Sequence, residues 1–367
     1  MRRTLLVAVV ASCISATVVT SSSLAGPGTS CGSWSVVPSP NVGSRPNFLY
    51  AVSALSDTDV WAVGRVSDSF TGRTLAEHWD GTSWKVVPTP RLRAPSTTLQ
   101  GVAAIAANDV WAVGNAISGS ATRPLIERWD GTAWKLARPS EPVEGALQAV
   151  AAVNAHDVWA TGSDGLALHW DGSSWTVVPT ADSSATLQGV AAIAANDVWA
   201  VGAKYVNFQA KPTTEHWDGA SWKEVPIGGG SFGGYPVAVA TAGSNDTWAV
   251  GAWGQFSPHT LVQHWDGGAW HHVGSPSPHP EDSLTGVAVV GANDVWAVGW
   301  SYGPLLTLVE HWDGRTWAVI PSPSPNSNAE LVGVAASLDG NLWAVGSFGT
   351  PPTGDPARTL VERYCQA

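Results

Sequence analysis

The sequence predicts an all-β fold, a closed ring of seven four-stranded blades called a β-propeller, and three observations lead to this prediction. A phrase like "AANDVWAVG" occurs seven times, and in six cases a phrase like "EHWDGTSW" follows it. The short apolar segments between these phrases are bounded by turn residues, as strands are. The seventh repeat lacks its last strand, and a matching strand stands near the other end of the chain.

The repeat unit is about as long as one propeller blade. Its second strand carries a tryptophan in every unit, and the spacings between these tryptophans are 50, 48, 40, 49, 48 and 47 residues. A period of roughly 40–50 residues is typical of propeller blades. The seven residues are Trp61, Trp111, Trp159, Trp199, Trp248, Trp296 and Trp343.

Each unit divides into four short strands, as the second unit illustrates. "LQGVAAIA" (99–106) ends at the turn "AND", and "VWAVG" (110–114) is rich in β-branched and aromatic residues. "LIERW" (125–129) leads into the tight turn "DGTA", after which a last strand starts at Trp134. A helical solenoid is the competing interpretation, but the Gly, Thr, Val and Pro content leaves no helical periodicity.

The two ends of the chain complete the last blade. The third strand of the seventh unit, "TLVERYC", ends at Cys365, and "GSWSVVPSP" (32–40) supplies the missing fourth strand. In this register Cys31 and Cys365 fall at neighbouring positions of a turn, so we expect them to form a disulfide. The predicted blades cover about 48–88, 99–138, 147–179, 187–226, 236–274, 284–321 and 331–364 with 33–38, in one domain over 26–367.

The first 25 residues have the pattern of an export signal. Arg2 and Arg3 precede an apolar run, and "SLAG" offers small residues for cleavage after Ala25. The expected product is a secreted protein, where an oxidising environment permits the disulfide. The alternative is a membrane-tethered lipoprotein, because "VASC" ending at Cys13 resembles a bacterial lipobox. No later segment is apolar enough to span a bilayer.

Composition argues against several classes of function. The formal net charge is −11, charged residues make up 13%, and no Lys/Arg cluster interrupts the chain. A protein that tracks phosphates needs such a cluster, so nucleic acid is not an expected partner. His271, His272 and His279 do not form a metal-ligand pattern, because the first two lie on adjacent strand positions and face opposite ways. We therefore expect no metal and no cofactor, and a monomer.

The repeated side chains are expected to build the fold. Twenty of the 22 tryptophans lie at repeat positions, which favours packing of blade against blade over sugar binding. In strand three a glutamate precedes a histidine or arginine, and we expect each glutamate to pair with the basic residue of a neighbouring blade. The aspartates of "NDVW" and "WDG" are expected to cap backbone N–H groups in turns. The adjacent glutamate and basic residues of strand three are Glu77 and His78, Glu127 and Arg128, Glu215 and His216, Glu310 and His311, and Glu362 and Arg363.

The repeat resembles the kelch repeat. A second strand that ends in Gly, an aromatic residue in strand three, a Trp five residues later and a following Pro are similar to that family, although kelch repeats usually carry a double Gly. "HWDG" is also similar to WD repeats, and "WDGTSW" to the Asp-boxes of sialidases. All three resemblances imply a propeller. Galactose oxidase, which has a kelch-type propeller, uses a copper site with a thioether-linked Cys, but both cysteines after Ala25 are assigned to ring closure here.

Function is expected on the face where connections vary. The connections from strand two to three, and from one unit to the next, differ in length and carry aromatic residues that the repeat does not require. We expect a non-catalytic binding or scaffold protein for a glycan or cell-surface protein; the alternative is an exported hydrolase- or oxidase-like enzyme with its site on the same loops. These aromatics could instead pack over the blades. The candidate binding residues are Tyr205, Phe208, Phe232, Tyr235, Trp253, Phe256, Trp300, Tyr302 and Phe348.

Overall fold

The computed structural model describes residues 31–67, 71–207, 209–227, 234–254, 257–349 and 356–366. The proposed signal segment, with Cys13 and Ala25, lies outside the described residues. We number the seven sequence repeats as units 1–7 in chain order. In units 1–6 the four strands pair antiparallel with their sequence neighbours, and in unit 7 the N-terminal strand takes the fourth position.

The described residues form 28 strands. Units 1 and 2 contain β2 (Asn47–Ser56), β3 (Asp59–Ser67), β4 (Gly72–Trp79), β5 (Trp84–Val86), β6 (Ser96–Ala106), β7 (Asp109–Ser118), β8 (Ala121–Trp129) and β9 (Trp134–Ala137). Units 3 and 4 contain β10 (Leu147–Asn154), β11 (Asp157–Gly162), β12 (Ala167–Trp170), β13 (Trp175–Val177), β14 (Thr186–Ala194), β15 (Asp197–Val206), β16 (Gln209–Trp217) and β17 (Trp222–Glu224). Units 5 and 6 contain β18 (Gly234–Gly243), β19 (Asp246–Trp253), β20 (His259–Trp265), β21 (Trp270–His272), β22 (Glu281–Gly291), β23 (Asp294–Tyr302), β24 (Leu306–Trp312) and β25 (Trp317–Val319). Unit 7 contains β26 (Ala329–Ala336), β27 (Leu342–Phe348), β28 (Arg358–Tyr364) and β1 (Trp34–Val36).

The structure confirms an all-β propeller of four-stranded blades, but in place of the predicted seven blades it shows five separate blades and one larger sheet. Among the described residues, five sheets are separate and four-stranded, and the strands of units 1 and 2 form one eight-stranded sheet. A single parallel pair, Gly72 with Ser96, joins β4 to β6. Gly72 makes this approach possible, because a Cβ there would lie 3.1 Å from Ser96 Oγ and 3.2 Å from the Thr97 carbonyl oxygen.

A β-bulge recurs in the innermost strand of every unit. In unit 2 the register shifts between Leu99 and Gly101, so Gln100 is the extra residue. The bulge explains the glycine of "WAVG": a Cβ on Gly114 would lie only 2.0 Å from the Thr98 carbonyl oxygen. Side chains are therefore excluded at this point of strand two for a steric reason.

The two ends of the chain join as expected. β1 pairs with β28, with Trp34 opposite Tyr364. Cys31 and Cys365 form a disulfide with their Cα atoms 4.6 Å apart, and the Gly32 N–H donates to the Cys365 carbonyl at 2.7 Å. The predicted disulfide and the completion of unit 7 by the N-terminal strand are confirmed.

Aromatic triads fill the contacts between consecutive units, which we call seams. In seam 1/2, Trp134 lies edge-on to Trp61 with ring centroids 5.2 Å apart, and Trp129 lies 5.0 Å from Trp61. Each triad takes the strand-two tryptophan of one unit and the strand-three and strand-four aromatics of the next. Among the described residues the triads are Trp61–Trp129–Trp134, Trp111–Trp170–Trp175, Trp159–Trp217–Trp222, Trp199–Trp265–Trp270, Trp248–Trp312–Trp317, Trp296–Tyr364–Trp34 and Trp343–Trp79–Trp84. The expected packing role of the repeated tryptophans is confirmed.

A search of the described residues for membrane-spanning segments finds no helix with the length and apolar character to cross a bilayer.

Candidate binding face

The antiparallel order of the strands gives the ring two unlike faces. Turns between strands one and two and between three and four emerge on one face, which we call the turn face. Connections between strands two and three, and between units, emerge on the other, which we call the variable face. The turn face is built from repeated residues, so differences between units are concentrated on the variable face.

Among the described residues of the variable face, two tyrosines are the most exposed large hydrophobic side chains. Tyr205 is 74% exposed and Tyr302 is 55% exposed. Tyr205 stands near the tip of the β15–β16 hairpin, opposite Ala210, and the hairpin turns at Asn207, whose φ is 51°. Tyr302 ends β23, opposite Glu281. Both side chains offer an aromatic face and a hydroxyl to a partner.

Tyr235 lies close to Tyr205 at the start of unit 5. It is half-buried, and burial raises the pKa of its phenol, with a smaller contribution from the nearby Tyr205. The candidate Tyr235 of unit 5 thus lies within electrostatic range of the candidate Tyr205 of unit 4.

The two tryptophans outside the repeat are less exposed than expected for contact residues. Trp253 is half-buried and lies 4.9 Å from the His259 ring, its direct neighbour on the paired strand. Trp300 is also half-buried, between Ser283 and Thr307 on the flanking strands. Both positions are on strands rather than on free loops.

Of the four candidate phenylalanines, the structure describes one. Phe348 is half-buried and packs against the core between units 6 and 7. Phe208, Phe232 and Phe256 lie outside the described residues. Hydrophobicity alone could not distinguish Phe348 from an exposed contact residue.

An axial channel that sequence reasoning missed runs along the centre of the ring. Its volume is about 170 Å³, and all seven inner strands contribute to its lining. The bulged residue of each inner strand lies there: Tyr50, Gln100, Gln148, Gln188, Val237, Thr285 and Val332. The available signal was the variable residue between the apolar residue and the Gly or Ala of strand one, as in "LQG".

The turn face carries a repeated side-chain pair, and the expected glutamate pairing is wrong. His216 Nε2 lies 2.8 Å from Asp197 Oδ1 within unit 4, and Arg128 Nε donates to Asp109 Oδ1 at 2.7 Å within unit 2. His78, His169, His264 and His311 pair in the same way with the strand-two aspartates of their own units. The basic residues point away from the glutamates beside them because adjacent strand residues face opposite sides.

The strand-three glutamates are instead buried, and no basic side chain pairs with them within the described residues. Burial raises the pKa of Glu77, Glu127, Glu310 and Glu362 to about 8. Near Glu310, Asp282 adds to this rise and Ser275 opposes it. Glu215 differs, because its carboxylate accepts the backbone N–H groups of Ala181 and Asp182 at 2.9 and 3.1 Å. These side chains are shielded from solvent.

The aspartates of the two turn phrases have separate roles. Asp80 Oδ1 accepts the N–H groups of Thr82 and Ser83, both at 3.0 Å, which confirms backbone capping in "WDG". Hydrogen bonds from Lys85, Thr82 and Ser83 hold the pKa of Asp80 well below its usual range. The "NDVW" aspartates accept from side chains, as Asp294 does from Trp296 Nε1 at 2.6 Å, so the capping expected for them is wrong.

Comparisons with known proteins identify the fold. No family model matches the chain, and no curated protein matches it. "YCF48 bound to D1 peptide" is 14% identical with a TM-score of 0.61, over 93% of this chain and 98% of that one. YCF48 from Cyanidioschyzon merolae is 14% identical with a TM-score of 0.59, covering 90% and 98%. The WD40 repeats of RRP9 are 11% identical with a TM-score of 0.60, covering 91% and 98%. At such identities the likeness extends to the propeller fold alone, and the kelch resemblance receives no family-model support.

Proposed function

We propose that this protein is a binding or scaffold module whose variable face takes an extracellular glycan or protein. The observation that carries the proposal is the projection of Tyr205 and Tyr302, 74% and 55% exposed, from positions that the repeat does not require. Exposed aromatics that serve no packing role are typical contact residues, since Tyr and Trp dominate binding energy at interfaces. The neighbour "YCF48 bound to D1 peptide" is a propeller that holds a peptide.

We further propose that the protein is exported, with cleavage after Ala25. The disulfide between Cys31 and Cys365 supports an oxidising compartment. N-terminal sequencing of protein recovered from the culture medium tests this: Gly26 is the expected first residue. A lipid-modified Cys13 at the N-terminus would contradict it.

We also propose that the ring has seven radial blades, of which two share the eight-stranded sheet. Seven inner strands around the channel and seven aromatic triads support this count. Among the described residues, β4 and β6 share a single backbone pair, Gly72 with Ser96. A crystal structure with a continuous ladder between these two strands would contradict it.

Tyr205→Ala and Tyr302→Ala should each weaken binding by about 1 kcal/mol or more, a common threshold for important interface residues. A glycan array and a pull-down with the purified protein identify the ligand class, and titration with that ligand measures the loss. Trp253→Ala and Trp300→Ala test the earlier candidates in the same titration, where weakened binding with an unchanged melting temperature identifies contact residues. Normal binding by both tyrosine variants would contradict the proposal.

A further inference from the structure

The turn face contains a cavity of about 360 Å³ at seam 4/5, on the opposite side of the ring from the proposed binding face. Asp197 and His216 of unit 4 and Ser244, Trp265 and Gly267 of unit 5 contribute to its lining. The lining thus combines a carboxylate, a hydroxyl and an indole. Ligand sites commonly combine apolar walls with a few placed polar groups in this way.

One oxygen of the Asp197 carboxylate is paired with a histidine, and this contact holds the side chain in place. Its Oδ1 lies 2.8 Å from His216 Nε2, and the His216 ring lies 4.5 Å from that of Trp199. Within the described part of the chain, no hydrogen bond reaches Asp197 Oδ2. The Asp197 side chain is 13% exposed, so a donor that reached Oδ2 would meet a fixed and mostly buried carboxylate.

At seam 6/7 the equivalent aspartate accepts a hydrogen bond from a neutral amide. Asp294 occupies the same repeat position, and its Oδ1 lies 2.8 Å from His311 Nε2. Its Oδ2 accepts the carboxamide N–H of Gln366 at 2.9 Å. Gln366 follows Cys365 as Gly267 follows Asp266, so the chain itself places a neutral amide where unit 5 has a glycine.

Seam 7/1 shows the reverse combination. Asn341 replaces the aspartate there, and its Nδ2 donates to Asp57 Oδ2. Arg363 Nη2 donates to the same oxygen at 3.0 Å. At these two seams the aspartate accepts from an N–H donor and the asparagine donates to a carboxylate.

We propose that the cavity at seam 4/5 binds a neutral amide, whose N–H donates to Asp197 Oδ2 while its apolar part lies against the Trp265 indole. Ser244 supplies a hydroxyl for the amide carbonyl. It stands where Ala107, Ala195 and Ala292 stand in other units, so this hydroxyl distinguishes unit 5. The amide comes either from the N-acetyl group of an amino sugar or from a primary carboxamide. This site is independent of the ligand on the variable face.

Calorimetric titration of the full disulfide-bonded protein tests the proposal. The probes are N-acetylglucosamine and propionamide, with glucose and methylammonium as comparisons. One amide per chain should bind, and glucose should bind more weakly than N-acetylglucosamine. Binding of both amides identifies a bare carboxamide as sufficient, and binding of N-acetylglucosamine alone identifies the amino sugar. Absence of binding by both amides, or tighter binding of methylammonium, overturns the proposal.

Asp197→Asn keeps an acceptor for His216 and replaces Oδ2 by an N–H donor, so it should weaken amide binding by about 10-fold or more. Asn341 shows that the fold accepts asparagine at this repeat position. Ser244→Leu, at an exposed turn position, provides a second variant that leaves Asp197 intact and should also weaken binding. Tyr205→Ala, on the variable face, should leave amide binding unchanged. Wild-type affinity in both cavity variants would overturn the assignment.

Discussion

Trp134→Ala should lower the free energy of unfolding by roughly 3–5 kcal/mol, the usual cost of truncating a buried tryptophan. Trp134 is 4% exposed and lies between Trp61 of the preceding unit, 5.2 Å away, and Trp129 of its own unit, 6.0 Å away. Alanine would leave a cavity at seam 1/2 and remove an edge-to-face contact. Denaturant titration followed by circular dichroism measures the change.

The matched control for this variant is Trp253→Ala. Trp253 lies outside the triads and is half-buried, so its truncation should cost less than half as much. Equal costs for the two variants, or a wild-type transition for Trp134→Ala, would show that the triads do not hold the seams together.

Glu77→Gln should make the free energy of unfolding less dependent on pH. Burial raises the pKa of Glu77 to about 8 from an ordinary 4.5. Between these values the folded state holds a proton that the unfolded state has released. The free energy of unfolding therefore falls as pH rises through this window, by up to about 1.4 kcal/mol per unit for one such group.

Glutamine resembles the protonated carboxyl in shape and cannot ionise. Glu77→Gln should therefore have a stability close to wild type at pH 5 and exceed it at pH 8, by up to about 4 kcal/mol. Unit 5 has Gln263 at this repeat position, so the fold already accepts glutamine there. Denaturant titrations at pH 5, 6.5 and 8 provide the measurement.

Glu141→Gln is the control, because Glu141 is exposed and its substitution should leave the pH dependence unchanged. A Glu77→Gln variant with the wild-type slope would mean that Glu77 is ionised in the folded protein. The buried carboxylate would then need a partner, and none reaches it among the described residues.

The sequence predicted what repetition encodes and missed what depends on contacts between strands. The packing of the repeated tryptophans and the completion of unit 7 follow from residues that recur at fixed spacing, and the disulfide follows from aligning the two chain ends with that repeat. The partner of His216 could not be predicted, because alternation along a strand assigns a side but does not say which neighbour is in reach. The eight-stranded sheet depends on one close approach at Gly72, which no periodicity reveals.

The candidate binding residues were predicted less completely, for a related reason. An aromatic residue that repetition does not require can project, as Tyr205 does, or pack, as Phe348 does, and its local sequence is similar in either case. The bulge that places Gln100 in the channel was also missed. The bulge becomes visible only when β6 is paired with β7, where the Thr98 carbonyl oxygen lies against Gly114.

Hydrogen–deuterium exchange with and without the ligand found by array or pull-down tests the central claim most directly, namely that repeated residues build the ring and the variable face binds. The account predicts slower exchange on ligand addition in the β15–β16 hairpin around Tyr205 and in the end of β23 around Tyr302. The turns on the other face, such as 107–108 and 195–196, should exchange as before. Protection confined to those turns, with no change around Tyr205 and Tyr302, would contradict it.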